Sequence, residues 1–248
     1  MVARVRLDQL LVARGLAASR ERARALVLAG DVSVDGAPVS KAGALVDPSA
    51  NVALRRPDHP WVSRGGVKLA HALDTFRLDV TGWTVLDLGA STGGFTDVVL
   101  QRGAARVVAL DVGAGQLDWR LRTDARVVCV EGVNARYLAP EDLPPDLRTF
   151  DLVTIDVAFI SLALILPVVP PLLGPGAHAI ALVKPQFEAG RRDVDKGGIV
   201  RDPAVHARVV EAVQTEAVRV GLKPLAVEPS PITGAEGNRE FLLLFARP

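Results

Sequence analysis

Val85-Leu86-Asp87-Leu88-Gly89-Ala90-Ser91-Thr92-Gly93-Gly94-Phe95-Thr96 is the stretch that decides the fold of this chain. A short apolar run ends in an acid, a loop of small residues follows, and Val98-Val99-Leu100 resumes the apolar pattern. This order predicts a buried strand, a tight turn and the opening of a helix. Glycines in such a turn let backbone N–H groups approach a ligand closely, and the new helix presents its electropositive end. The next apolar run, Val107-Val108-Ala109-Leu110-Asp111, also ends in an acid. A carboxylate at that strand end accepts both hydroxyls of a ribose. Together these elements predict the first half of a doubly wound α/β domain with a Rossmann-like, mostly parallel sheet. Ser91 replaces the middle glycine of a dinucleotide fingerprint, so the loop alone equally fits an ordinary turn. Asp111 on the following strand is what favours a nucleotide-like ligand.

Further strands follow with the same habit. Val127–Val130 predicts a third, followed by Asn134, which fits either an adenine edge or the capping of its own turn. Phe150–Asp156 predicts a fourth, and Ala177–Val183 a fifth that ends at Lys184. Ligands of open parallel sheets bind at the carboxyl ends of the strands. Asp87, Asp111, Asp156 and Lys184 all stand at such ends. Ala189 to Gly198, with three glycines among its charges, reads as a loop beside the site. Asp202-Pro203 opens the clearest helix, with Val205, Val209, Val213 and Ala217 on one face. Leu225-Ala226-Val227 and Phe241–Phe245 read as closing strands, with Glu240 at the start of the last.

The chain has 248 residues, 49% hydrophobic and 23% charged, which describes a soluble globular protein with a sizeable core. Net charge is only +1, yet residues 1–24 carry six arginines against two acids. That local imbalance points to an anionic partner for the N-terminal part. The single cysteine, Cys129, excludes an internal disulfide and sits in an apolar run, so it reads as packing. There is no signal-peptide pattern, and a cytoplasmic location is expected. Val157 to Val183 lacks charge over a length able to span a bilayer, but Pro167, Pro170, Pro171 and Pro175 interrupt it. A buried helix, a turn and a buried strand are predicted there instead.

Before the loop, Leu7, Leu10 and Leu11 and then Ala23, Leu26 and Val27 predict two short helices, and Val32, Val34 and Val52 predict small strands. Arg20 and Arg24 lie four apart on the second helix, placing both on one face. Arg6-Leu7-Asp8, Gly15-Leu16, Ser19-Arg20-x-x-Ala23-x-x-Leu26 and Gly30-x-Val32-x-Val34-Asp35-Gly36 resemble the small RNA-binding domain of ribosomal protein S-four. The resemblance implies binding of structured RNA through Arg4, Arg6, Arg20 and Arg24. The expected organisation is a small α+β domain over 1–55, a linker over 56–62 and the α/β domain over 63–248.

The stretch Asp87 to Phe95 resembles the S-adenosylmethionine loop of RNA ribose methyltransferases of the FtsJ type. Those enzymes carry a Lys-Asp-Lys-Glu tetrad, which the resemblance places at Lys68, Asp156, Lys184 and Glu240. It places the cofactor against Asp87, Gly89, Ser91, Gly93, Gly94, Phe95, Asp111 and Asn134. With the N-terminal module, the whole chain resembles the TlyA family, implied to be rRNA (cytidine-2′-O)-methyltransferases, some of which are named haemolysins. Two departures stand out: Ala158 where Ser is expected, and His59-Pro60-Trp61-Val62 where actinobacterial members have Arg-x-Trp-Val. Only Ala246-Arg247-Pro248 follow the closing strand and only Met1 to Arg6 precede Leu7. The resemblance therefore implies the shorter form of the family, acting on a cytidine in 23S rRNA of the 50S subunit with little or no action on 16S rRNA. No metal, membrane or DNA partner is expected. A nucleotide-dependent oxidoreductase on the same fold and a membrane-lytic protein are the alternatives.

The residue types suit methyl transfer. A ribose hydroxyl is a poor nucleophile and must lose a proton as it attacks. A lysine accepts that proton only as the neutral amine, which burial or a neighbouring cation favours. Lys184 is the expected base, Asp156 its orienting partner, and Glu240 the residue that holds Lys68 or the hydroxyl.

Overall fold

The computed structural model describes residues 4–55, 59–234 and 237–248. Arg56, Pro57 and Asp58 of the expected linker lie outside the described residues. The chain divides into two compact units, Met1–Pro60 and Trp61–Pro248. The division falls inside the stretch expected to be linker.

The first unit opens with β1 (Val5–Arg6), α1 (Leu7–Ala13) and α2 (Arg20–Leu28). It continues with β2 (Val32–Val34), β3 (Ala37–Pro38), β4 (Leu45–Val46) and β5 (Val52–Leu54). Ser19 caps α2 by accepting from Arg22 N, which satisfies an N–H that has no partner inside the helix. Leu7, Leu11, Ala23, Val27 and Val32 are fully buried and form the centre of this small core. β1 pairs antiparallel with β4, and β2 with both β3 and β5.

The second unit begins with α3 (Gly65–Phe76), β6 (Thr84–Leu88), α4 (Gly94–Gln101), β7 (Arg106–Asp111), α5 (Trp119–Arg122) and β8 (Val127–Glu131). Then come β9 (Phe150–Ile155), β10 (Leu173–Val183), α6 (Pro185–Glu188), α7 (Pro203–Arg219), β11 (Lys223–Pro229) and β12 (Phe241–Ala246). Seven strands form one sheet in the order β11-β12-β10-β9-β6-β7-β8. Strands β8, β7, β6, β9 and β10 run parallel, while β12 is antiparallel to both β10 and β11. The parallel strands are mostly apolar because both faces of the sheet are packed. The order reverses between β6 and β9, and a crevice at the carboxyl ends opens at such a switch point.

One expectation is corrected. The apolar stretch after β9 contains no α-helix. Three short 3₁₀ turns, Leu162–Leu164, Leu166–Val168 and Pro170–Leu172, lead into β10 instead. Pro167, Pro170 and Pro171 lack the N–H that an α-helix interior requires, so only isolated turns form. β10 is longer than expected, starting at Leu173. Among the described residues, no helix is long and apolar enough to cross a membrane.

Candidate active site

The loop between β6 and α4 is built around close backbone approaches. Gly89 has φ +83°, and a Cβ there would lie 2.7 Å from the Asp156 carbonyl oxygen. Only glycine lets β6 and β9 separate at that point without a clash. Ser91 takes the left-handed conformation, φ 48°, although it carries a side chain. Its N–H donates to Asp111 Oδ2 at 2.8 Å, and Gly113 N donates to Oδ1 at 2.7 Å. Asp111 thus fixes the loop while keeping lone pairs for a ligand.

Asp87 is fully buried beneath this loop. It accepts from Thr96 N at 3.0 Å, Thr96 Oγ1 at 2.7 Å and Thr154 Oγ1 at 2.9 Å. Burial lifts its carboxyl to about 6, and the nearby Asp156 charge adds to the rise, while the Thr96 and Thr154 bonds oppose it. Asp87 does not line either of the two cavities at this loop, and neither does Gly93, whose space is closed by Leu117 and Leu121. Both shape the loop from below.

Two cavities meet here. One, of about 490 Å³, is lined by Asp111, Val112, Gln116, Val133 and Asn134 together with Gly89, Ser91 and Asp156. The other, of about 390 Å³, is lined by Lys68, Lys184, Glu240, Gly94, Phe95 and Gln186, again with Gly89, Ser91 and Asp156. Ala158 and Phe159 belong to both. The first lies at the end of β7, where Asp111 stands. Asn134 uses its carbonyl oxygen to accept from Arg136 N at 3.0 Å, so it does cap its own turn.

The second cavity gathers four charged side chains. Lys68 Nζ donates to Glu240 Oε2 at 2.5 Å, although 172 residues separate them. Both side chains are nearly buried. Lys184 Nζ lies 2.6 Å from Asp156 Oδ1 and donates to the Val157 carbonyl at 2.9 Å. Asp156 Oδ1 is close enough for an ion pair but not aligned as a hydrogen-bond acceptor, and it is counted among the buried oxygens without one. We read the contact as ionic, because attraction between charges depends on distance more than on angle. Topology supplies the convergence: Lys68 comes from α3, Asp156 and Lys184 follow β9 and β10, and Glu240 precedes β12 beside them.

The segment ahead of α3 locks onto the loop. Val62 N donates to Asp97 Oδ2 at 2.8 Å on the first turn of α4. Trp61 packs into the space left by the missing side chain of Gly66, and Ser63 Oγ into that of Gly94. Trp61 and Val62 therefore belong structurally to the catalytic unit.

Sequence reasoning missed two aromatic residues. Phe159 is 91% exposed with φ 62°, and its ring tilts against Phe187 at 5.2 Å between centroids. No spacing rule signals them; their position at the rim follows from an unusual backbone turn. Cys129 is partly buried, and burial raises its thiol, which leaves it a poor nucleophile.

Residues 61–247 match the family model of FtsJ-like methyltransferases. The chain belongs to that family. Within this methyltransferase, residues 5–52 match the S4 domain. Of the readings open at the sequence level, the family match selects methyl transfer over nucleotide-dependent oxidation. The methyltransferase is 48% identical to a Mycobacterium tuberculosis protein named 16S/23S rRNA (cytidine-2′-O)-methyltransferase TlyA, covering 98% of this chain and 90% of that one. It is 38% identical to Hemolysin A of Brachyspira hyodysenteriae, covering 97% and 99%. A solved structure from Streptococcus thermophilus, described as a candidate hemolysin, superposes with TM-score 0.77 at 43% identity, covering 100% of this chain and 90% of that one.

In the S4 unit the expected RNA residues are partly organised by an acid. Arg6 donates from Nε to Asp8 Oδ1 at 3.0 Å and from Nη2 to Oδ2 at 2.9 Å. Arg20 Nη2 donates to the same Oδ2 at 3.3 Å. These bonds hold Asp8 down to about 2 against the opposing effect of its burial. Arg6 and Arg20 stay about half exposed, and Arg4 and Arg24 are exposed.

Proposed function

We propose that this methyltransferase moves a methyl group from S-adenosylmethionine to the 2′-oxygen of a cytidine ribose in 23S rRNA, within the 50S subunit and so in the cytoplasm. The observation that carries the reading is the second cavity. Lys68–Glu240 and Lys184–Asp156 face one space that opens directly onto the cavity at Asp111. The names of the relatives supply the RNA class and the nucleotide.

The residues present fit the cofactor. Asp111 would hold the ribose, Gly89 and Ser91 line both cavities, and Asn134 with Val112 and Val133 would border the base. When bound, S-adenosylmethionine supplies a methyl group on a positive sulfur, which makes a metal unnecessary as a methyl activator. Once it has given up its own proton, Lys184 would receive that of the 2′-hydroxyl as the oxygen attacks the methyl carbon and the carbon–sulfur bond breaks, and Asp156 beside it would stabilise the ammonium that results. Asp156 orients Lys184, and Lys68, held by Glu240, fixes the ribose from the other side. Phe159 and Phe187 at the rim offer a stacking surface for a base turned out of the RNA. The half-exposed arginines of the S4 unit take phosphates.

The test is to incubate the protein and labelled S-adenosylmethionine with purified, unmodified 50S and 30S subunits separately, and to map the ribose methyl groups. A cytidine in 23S rRNA is expected to be modified. Equal labelling of 30S would refute the restriction to the large subunit, and no labelling of either would refute the reading.

A further inference from the structure

Three contacts tie the segment after β9 to the segment after β10, and they run in step. Lys184 meets Asp156 and the Val157 carbonyl. Phe187 packs against Phe159. Glu188 accepts from Ser161 Oγ at 2.6 Å and from Leu162 N at 2.8 Å. The first contact is the reacting pair and the second is the aromatic rim. The third involves a partly buried carboxylate that makes no ion pair among the described residues. Burial raises Glu188, and its two hydrogen bonds oppose the rise.

Between the outer contacts lies Phe159, with its φ of 62°. A bulky residue in that region is strained and stays there only when its surroundings over-determine it. Lys184 fixes one end of the turn. Glu188 fixes the other through its two hydrogen bonds. An apolar side chain would serve if only local packing were required, whereas both contacts here are hydrogen bonds.

We propose that Glu188 is a positioning residue, a latch that holds the Val157–Ile160 turn against the Lys184 segment so that Phe159 and Lys184 are set for the target nucleotide. This rests on the methyl transfer proposed above. Glu188 touches neither cofactor nor reacting atoms. It acts through the geometry of Asp156, Phe159 and Lys184.

The experiment is steady-state methylation of 50S subunits by the full chain and its variants, with S-adenosylmethionine affinity measured by calorimetry. Glu188→Ala removes both bonds and is expected to lower kcat roughly ten- to a hundredfold, since small misplacements of reacting groups have effects of that size. Its cofactor affinity and its KM for subunits should stay within about twofold, because uniform binding is untouched. Glu188→Gln can accept from Leu162 N and donate to Ser161 Oγ, so it should restore kcat to within about threefold of wild type by keeping a hydrogen bond to each partner, the one to Ser161 reversed in direction. Wild-type kcat in Glu188→Ala would overturn the latch. Equal losses in Glu188→Gln and Glu188→Ala would overturn it too, by showing that charge and not geometry acts. Should Glu188→Ala fail to fold, Ser161→Ala decides: a several-fold fall in kcat at unchanged Tm supports the latch, and unchanged kcat overturns it. Failure of the wild-type protein to label RNA would instead strike the proposed function, which separates the two.

Discussion

Asp8 and Asp87 are both fully buried carboxylates, one in each unit, yet they are pushed in opposite directions. Asp8 has two guanidinium groups on it and falls to about 2. Asp87 has hydroxyls and one backbone N–H, no bonded cation, and rises to about 6. Burial alone disfavours the charged form in both; the presence of a cation decides the sign. The lesson is that the two units use buried acids for different ends. Asp8 gathers arginines and leaves most of their N–H groups free for an anion, while Asp87 braces a loop. The pairs Lys68–Glu240 and Lys184–Asp156, for which we propose the catalytic role, are a third use: cation and acid matched one to one and mostly out of water.

The largest effect should come from breaking the catalytic match. Lys184→Ala is expected to lower kcat about a thousandfold, within the range typical of lost general-base catalysis, with cofactor binding retained. Lys184→Arg should fail equally, because a guanidinium keeps its proton. Robust turnover by Lys184→Arg, followed with labelled S-adenosylmethionine, would remove Lys184 from the base role.

The buried pair should show its matching in stability. Lys68→Met strands Glu240 and should cost about 3–5 kcal/mol in urea unfolding, whereas Lys68→Met with Glu240→Leu should recover most of that. Activity should be lost in both. If the single and double variants unfold alike, the pair is not coupled as the geometry implies.

Asp87 offers a sharper probe of the comparison. Its folded value is raised above the ordinary 3.8, so its contribution to stability is fully present below about pH 4 and is lost as pH rises through about 6. Asp87→Asn keeps partners for Thr96 and Thr154 without a charge. Relative to wild type, it should gain stability between pH 4 and pH 7, by on the order of 3 kcal/mol at the upper end. Asp8 has the opposite sign: its contribution is present above about pH 4 and is lost as pH falls through about 2. A pH-independent difference between wild type and Asp87→Asn would show that Asp87 is not held high.

The smallest effect belongs to the open cations. Replacing Arg20 and Arg24 by Ala should weaken RNA binding and reduce the slope of log affinity against log salt by about one to two, one phosphate per arginine lost. An unchanged slope would make this helix face a solvated surface only.

Much of this was legible in the sequence. Strand ends at Asp111, Asp156 and Lys184 are local facts: an apolar run stops where a polar residue appears, and sheets place such ends on one side. The cofactor loop, the long helix after Asp202 and the two small N-terminal helices follow from spacing of three or four residues. The stretch after β9 was misread because apolar content alone does not separate an α-helix from successive turns, and the spacing of three prolines decided it.

By itself, then, the sequence determined the alternation of strands and helices, the glycine-rich loop after β6 and the chemical types at the strand ends, because these depend on neighbours within a few residues. Only the tertiary structure decided that Lys68 grips Glu240 and that Phe159 stands exposed in a left-handed turn. It also decided that Asp87 braces a loop from below, that Arg6 shares an acid with Arg20, and that Glu188 latches the loop beside Lys184. In the second unit these depend on β12 entering the sheet antiparallel between β10 and β11 and on β9 pairing in parallel with β6, and in the first unit on α2 meeting α1 so that Arg20 reaches Asp8. Contacts between residues so far apart in the chain are fixed by strand order and register, which no short window of residues contains.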